Sequence, residues 1–223
     1  MNHSEWPLHF SFDSDDTCQN IFKPYIESQL RKLAAYDALR PDGHAYEFDK
    51  HSYRVAEDVK AMCGHLNLPE HIGNNMYWAV LPHDIGKMAL PVSIWDTESK
   101  PDEHLKRKRR THTQTGVALI NQAFGNVTHP FKDLMLDIIL YHHEKMDGTG
   151  DLRAPADKLS MPVRLTIICD SFDGWSVKRP HFEPDRDLSV QGVLTRMTDD
   201  KGGAFFDMEL LESFKEMKLN QPT

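Results

Sequence analysis

At 223 residues, 39% hydrophobic and 27% charged, the chain can bury one substantial core and has the composition of an ordinary globular protein. A formal charge of −8 excludes a general nucleic-acid binder, which needs a basic surface to displace counterions, but leaves room for a local cationic site holding a small anion. The three cysteines, Cys18, Cys63 and Cys169, show no CxxC spacing, which fits buried thiols in a reducing, cytoplasmic setting; nothing resembles a secretory signal or a bilayer-spanning run, so no membrane partner is expected.

Strand-like alternation is nearly absent and a 3.6-residue period recurs, so the expected fold is all-α, a compact helical bundle. The first helix is predicted from about Asp16 to Leu39, with Phe22, Ile26, Leu30 and Leu33 on one stripe. Pro41-Asp42-Gly43 breaks the chain, so residues 1–43 are expected to form an N-terminal helical extension packed on a main domain of residues 44–223. The next helix runs from about Ala45 to Leu66 and stops before Leu68-Pro69. Others are predicted at 70–81, 103–124, 130–143, 161–177, 187–198 and 205–217. Residues 144–160, with Asp147-Gly148-Thr149-Gly150 and Pro155, read as a loop. No internal repeat is found.

The apolar stripes select the inward-pointing side chains. Phe48, Val55, Val59 and Met62 place His51 on the core side, with Glu47 one helical turn earlier on the same face. Ile72, Met76 and Val80 lead to His83, and Leu105, Leu119 and Ala123 mark a face that includes His112. Leu134 and Ile138 lead to His142, Met135 and Ile139 to His143, and Val163 and Ile167 to Asp170. A single inward histidine is more often a hydrogen-bonded core residue than a ligand. Seven inward polar residues on five helices point to one charged centre, because buried ionisable groups are costly unless paired or bound to metal. Nitrogen and carboxylate donors of this kind suit Fe, Mn, Zn and similar divalent ions. His3, His9, His65 and His129 lie off the stripes and read as surface or local residues.

His83-Asp84-Ile85-Gly86-Lys87 resembles the signature of the HD superfamily of metal-dependent phosphohydrolases. Met88-Ala89-Leu90-Pro91, Lys100-Pro101, His112, Gly116, the run from Tyr141 to Gly150, Pro162-Val163-Arg164, the run from Cys169 to Asp173 and Arg179-Pro180 resemble its HD-GYP branch over roughly residues 44–185. The resemblance implies His51, His83, Asp84, His112, His142, His143 and Asp170 as ligands of two or three divalent ions, Fe or Mn foremost and Zn, Ni or Mg as alternatives. Asp84 is implied as the bridge, and Glu47 as ligand of a third ion or, on a plainer view, a partner of Lys50. The sequence departs from the branch at Asp151-Leu152, where relatives carry Tyr-Pro, and at Phe182, where they commonly carry a basic residue. These positions help hold cyclic di-GMP in relatives, so the ligand set is intact and the specificity set is not.

The implied reaction is hydrolysis of a phosphodiester, foremost of a cyclic dinucleotide such as cyclic di-GMP, by a hydroxide bridging the metals. Asp84 and Lys87 are the expected catalytic residues. If the helix continues past His83, Lys87 faces the same side and orients the phosphate or protonates the leaving group. Arg179 is a second substrate-binding candidate. Most of Lys106-Arg107-Lys108-Arg109-Arg110 reads as a solvated face, with Lys108 or Arg109 within reach of a phosphate, and Asp147 as a turn residue or a hydrogen-bond acceptor for ligand histidines. Pro82 is expected to kink its helix. Competing readings are another nucleotide phosphate as substrate, a di-iron oxygenase of the same fold, or an inactive nucleotide-sensing or interaction module. The expected partner is a small anionic nucleotide, with a homodimer or a signalling protein left open.

Overall fold

The structure is a computed structural model and describes residues 6–220 apart from 8, 42, 43, 45, 98, 180, 181 and 184. The Asp42-Gly43 break, a helix start at Ala45, and Pro180 of the Arg-Pro pair lie outside the described residues. Among those described there is no strand. The helices are α1 (Lys23–Asp37, entered through a π-helical turn Cys18–Phe22), α2 (Phe48–His65), α3 (Glu70–Val80), α4 (Glu103–Arg110), α5 (His112–Phe124), α6 (Pro130–Tyr141), α7 (Met161–Ser176), α8 (Val190–Thr195), α9 (Gly202–Phe205) and α10 (Met208–Asn220). The all-helical expectation holds. The predicted 187–198 segment is interrupted: α8 ends at Thr195 and continues as a π-helical segment, Arg196–Lys201.

At the centre, α2 packs on α3 and α7, and α6 packs on α3, α5 and α7. The inward stripe of α2 is Phe48, His51, Val55, Val59 and Met62, all buried, with Ser52, Ala56 and Cys63 beside it. The helix begins at Phe48 because its first amides find an acceptor on another helix. Asp37 at the end of α1 accepts from Phe48 N at 2.6 Å and Asp49 N at 3.3 Å, while Glu47 at the cap supplies no side-chain bond. It ends at His65, and two residues on the φ of 56° at Asn67 turns the chain left-handed while Leu68 N closes on Cys63 O at 3.0 Å.

Two expected helical continuities are broken, for physical reasons. Pro82 does not kink a helix but follows its end: α3 stops at Val80, and His83-Asp84 turns into a 3₁₀ segment, Ile85–Ala89. The predicted 103–124 helix is two helices meeting at Thr111. The basic run makes α4 a helix with no buried residue, whereas α5 buries His112, Thr113, Gly116, Ile120 and Phe124. Ala123, expected on the His112 face, is exposed, so the stripe read through Leu105, Leu119 and Ala123 is displaced by about one position.

The amino-terminal segment is fastened to this bundle rather than laid over it. Phe12 and Phe22 pack with Phe131 of α6, their ring centroids at 4.7 and 5.1 Å. Asn75 of α3, fully buried, accepts from Phe12 N at 2.8 Å and donates to Pro7 O and Phe10 O, each at 2.9 Å. One amide thus satisfies three backbone groups of an irregular segment that has no ladder of its own. Replacing Asn75 with Leu is expected to destabilise the protein by about 2–3 kcal/mol, read as a lower urea midpoint, because buried backbone groups lose their partners. A change below about 0.5 kcal/mol would show that these contacts contribute little.

Candidate metal centre

The end of α3 delivers His83 and Asp84 into the bundle, and two glycines let them approach α5. A Cβ on Gly86 would stand 1.9 Å from His112 O and 2.6 Å from Gly116 N, and one on Gly116 would stand 2.8 Å from Ile139 Cγ2. No larger residue allows this proximity of the 3₁₀ turn, α5 and α6. The folded chain then brings all five histidines within 3.9 Å of a carboxylate oxygen of Asp84 or Asp170. His51 comes from α2, His112 from the start of α5, His142 and His143 from just after α6, and Asp170 from α7.

The two oxygens of Asp84 face two groups of imidazoles. Oδ2 lies 3.5 Å from both His51 Nε2 and His83 Nε2, and these nitrogens are 3.3 Å apart. Oδ1 lies 3.1 Å from His112 Nε2 and 3.8 Å from His142 Nε2, which are 3.2 Å from each other. Asp170 spans the same gap, Oδ1 at 2.9 Å from His51 Nε2 and Oδ2 at 3.9 Å from His143 Nδ1. Two triads, His51/His83/Asp84 and His112/His142/His143, can each place three donor atoms within 4.8 Å of one another.

Hydrogen bonds on the far side of the rings fix which nitrogen is free. His83 Nδ1 donates to Val80 O (3.0 Å), His112 Nδ1 to Arg109 O (2.8 Å) and His142 Nδ1 to Ile139 O (3.0 Å). A carbonyl can only accept, so each Nε2 of a neutral ring carries a bare lone pair. Lone pairs 3.2 Å apart beside a buried carboxylate oxygen, Asp84 Oδ1, that receives no hydrogen bond are unfavourable unless a cation lies among them. The donor set therefore fits divalent metal ions. Burial pushes His83, His142 and His143 below the ordinary imidazole value, the last two helped by neighbouring imidazoles. Burial would raise Asp84, but Lys87, His83 and His112 hold its carboxyl well below the usual range, and His51 does the same for Asp170. Neutral nitrogens and ionised carboxylates are the protonation states that ligation requires.

Asp173, which the stripes did not single out, completes the arrangement from α7. Its Oδ2 takes His51 Nδ1 at 2.6 Å, and Arg54 binds the same carboxylate through two nitrogens at 2.5 and 2.9 Å. Burial pulls His51 down, but its bonds to Asp170 and Asp173 outweigh this and raise it. Asp173 lies three residues after Asp170, so helical spacing was the signal that could have found it.

Glu47 is not brought to the centre. It sits at the cap of α2 with extended backbone, φ −88° and ψ 124°, so the helical register assumed for it does not apply. Its carboxylate pairs with Lys50 at 2.7 Å, and this lysine lowers its pKa. Asp147 likewise caps its own turn, accepting from Thr149 N at 2.8 Å, instead of reaching a ligand histidine. Buried Glu144 organises the loop, accepting from Leu152 N at 2.6 Å and Ala154 N at 2.8 Å. Asp151, in place of the tyrosine of relatives, pairs with Arg110 at 3.0 Å. His142 and His143 follow the end of α6, so the ~100° projection of adjacent helical residues does not set their geometry. His129 is local as expected, capping α6 at Phe131 N and facing Asp15 at 3.2 Å, which satisfies the polar atoms of the Asp15-Cys18-His129 grouping without an ion.

Lys87 reaches Asp84 through the 3₁₀ turn, not along a continued helix, and its ammonium forms a short ion pair with Asp84 Oδ2. The same ammonium lies 4.4 Å from the Phe48 ring centre and lines an open pocket. Arg179, Arg109, Tyr46 and Trp95 share that pocket, with Arg179 stacked 3.9 Å over Tyr46. The Tyr46 ring is 4.9 Å from His51 and the Trp95 ring 6.4 Å from His112, so the pocket adjoins both triads.

Over 74% of its length the chain is 28% identical to a cyclic di-GMP phosphodiesterase of Pseudomonas aeruginosa, and over 78% it is 28% identical to 3'3'-cGAMP-specific phosphodiesterase 2 of Vibrio cholerae. It spans only 37% and 32% of those two proteins. Among solved structures, an HDG"Y"P protein from Bdellovibrio bacteriovorus superposes with a TM-score of 0.63 at 14% identity, covering 94% of this chain and 65% of the other. The HD domain of the L. monocytogenes phosphodiesterase PgpH, in complex with cyclic-di-AMP, gives 0.52 at 15%, covering 89% and 99%. These likenesses are of fold. The family profile described as HD domain matches residues 41–210, well over half of the sequence, and the chain belongs to the HD-domain family.

Proposed function

We propose that this chain is a metal-dependent phosphodiesterase acting on a cyclic dinucleotide, with the bridge between two cation positions made by Asp84. The observation that carries this reading is the division of the Asp84 carboxylate, one oxygen facing His51 and His83 and the other His112 and His142. In this reading His51, His83 and Asp170 complete one position, and His112, His142 and His143 the other. Glu47 would serve a third ion only after releasing Lys50 and turning toward His51. Divalent ions in these positions would supply Lewis acidity toward a phosphoryl oxygen and a water of lowered pKa.

The chain's own residues supply the rest. Lys87, held on Asp84 and lining the pocket, is placed to bind a non-bridging phosphoryl oxygen or to give a proton to the leaving ribose oxygen. Arg179, which lines the same pocket, offers a second cation for a dianionic substrate. The relatives named as cyclic di-GMP and cGAMP phosphodiesterases support the substrate class. Asp151-Leu152 leave the identity of the bases to the screen below.

The test is hydrolysis of cyclic di-GMP, cyclic GMP-AMP and linear dinucleotides by protein loaded with Fe or Mn. Turnover of at least one, accompanied by about two ions per chain, is the expected result. Folded protein that holds ions and hydrolyses none of them overturns the reading. Asp84→Ala should remove hydrolysis and lower metal content together, since both positions lose a ligand. Asp173→Asn should weaken metal affinity by about 10–100-fold, measured by competition with a chelator, because the ring orientation and basicity of His51 depend on that carboxylate. Unchanged affinity in this variant would remove Asp173 from the site.

A further inference from the structure

Trp95 stands half-buried on the pocket wall between the two triads and the amino-terminal helix. A half-buried indole in a connecting segment would ordinarily be free to change rotamer. Here one hydrogen bond holds the ring, and further bonds fix the backbone that carries it. Its Nε1–H donates to the Tyr36 hydroxyl of α1 at 2.7 Å, and that hydroxyl donates onward to Leu90 O at 2.8 Å. Its carbonyl accepts from Arg109 Nη2 at 3.1 Å, and that of Ile94 from Arg109 Nε at 2.7 Å. Its neighbour Asp96 is gripped by Arg40, through Nε at 2.8 Å and Nη2 at 2.7 Å.

Arg40 also ties this segment to α1 and to Tyr46, donating to Asp37 at 2.7 Å and to Tyr46 O at 2.6 Å. Fixing a large aromatic ring costs rotamer entropy, and leaving it partly exposed forgoes some of the burial that would offset the cost. A planar ring beside cations, locked before a ligand arrives, suits a ligand that is itself planar and joined to a phosphate. Lys87 and Arg109 lie 5.6 and 5.9 Å from the indole centre, so a stacked ring would have its phosphate within reach of positive charge.

We propose that Trp95 is the stacking platform for a nucleobase of the substrate, and that Tyr36 and Arg40 from the amino-terminal segment are its positioning residues. The proposal rests on the phosphodiesterase reading for the substrate, and it makes residues 36–40 part of the substrate site.

The test uses two monoesters that a phosphodiesterase leaves intact, GMP and ribose 5-phosphate, titrated calorimetrically into the full metal-loaded chain. Wild-type protein is expected to bind GMP roughly tenfold or more tightly than ribose 5-phosphate. Trp95→Leu should erase that preference while its affinity for ribose 5-phosphate and its metal content stay within twofold. Tyr36→Phe, a mild change that removes only the hydroxyl, should reduce the preference severalfold. A GMP preference that survives in Trp95→Leu, or its absence from the wild type, overturns the platform. Either result leaves hydrolysis of cyclic di-GMP, measured on the same preparations, as an independent readout of the phosphodiesterase reading. Conversely, a Trp95-dependent GMP preference in protein that hydrolyses no dinucleotide keeps the platform and removes that reading.

Discussion

The structure turns on a set of imidazole nitrogens that cannot hydrogen-bond to one another. His83, His112 and His142 each commit Nδ1–H to a backbone carbonyl, so their Nε2 lone pairs converge on Asp84 in a region that excludes water. Burying such groups unpaired costs several kcal/mol in total by the usual penalties. A cation would convert that cost into binding energy, and Asp84 presents one carboxylate oxygen toward each group. Features elsewhere follow from the need to close this arrangement. Gly86 and Gly116 bring the 3₁₀ turn against α5, Pro82 follows the end of α3 where His83 must turn inward, and Asp173 with Arg54 holds His51 from behind.

The same centre is braced from outside the segment that carries its signature. Asp37 caps α2, the helix of His51, and Arg40 joins Asp37, Asp96 and the Tyr46 carbonyl into one buried ionic network. Such networks add little net stability, since desolvation offsets much of the Coulomb gain, but removing a single partner leaves a buried charge unpaired. Their contribution is geometric: they link Tyr46 and Asp96, both of which line the pocket, to the end of α1. The amino-terminal segment, divided in sequence from the main domain by Pro41-Asp42-Gly43, is in structure a support of the site.

Helical periodicity made most of this readable. His51, His83, His142 and Asp170 lie on stripes whose apolar members, Val55, Val59, Met76, Val80 and Ile138, are buried. His112 was placed correctly by a stripe that was itself displaced, because the run from Lys106 to Arg110 was joined to α5 across Thr111. Glu47 shows the limit of the method: extending the period beyond the true start of α2 gave it a helical direction that its backbone does not have. Asp173 follows Asp170 by three residues, so the same period could have found it, although its partner His51 lies 122 residues away. Asp37 and Arg40 were missed for a different reason: their roles depend on contacts across 11 and 56 residues of sequence, about which periodicity within one helix carries no information.

The most direct measurement is cobalt substitution of the wild-type chain, followed by optical titration and elemental analysis. Two Co²⁺ per chain, with ligand-field bands and magnetic coupling that mark a shared carboxylate bridge, is the result predicted from the geometry of Asp84. Fewer than one ion per chain in folded protein, or two ions with no coupling between them, would contradict it.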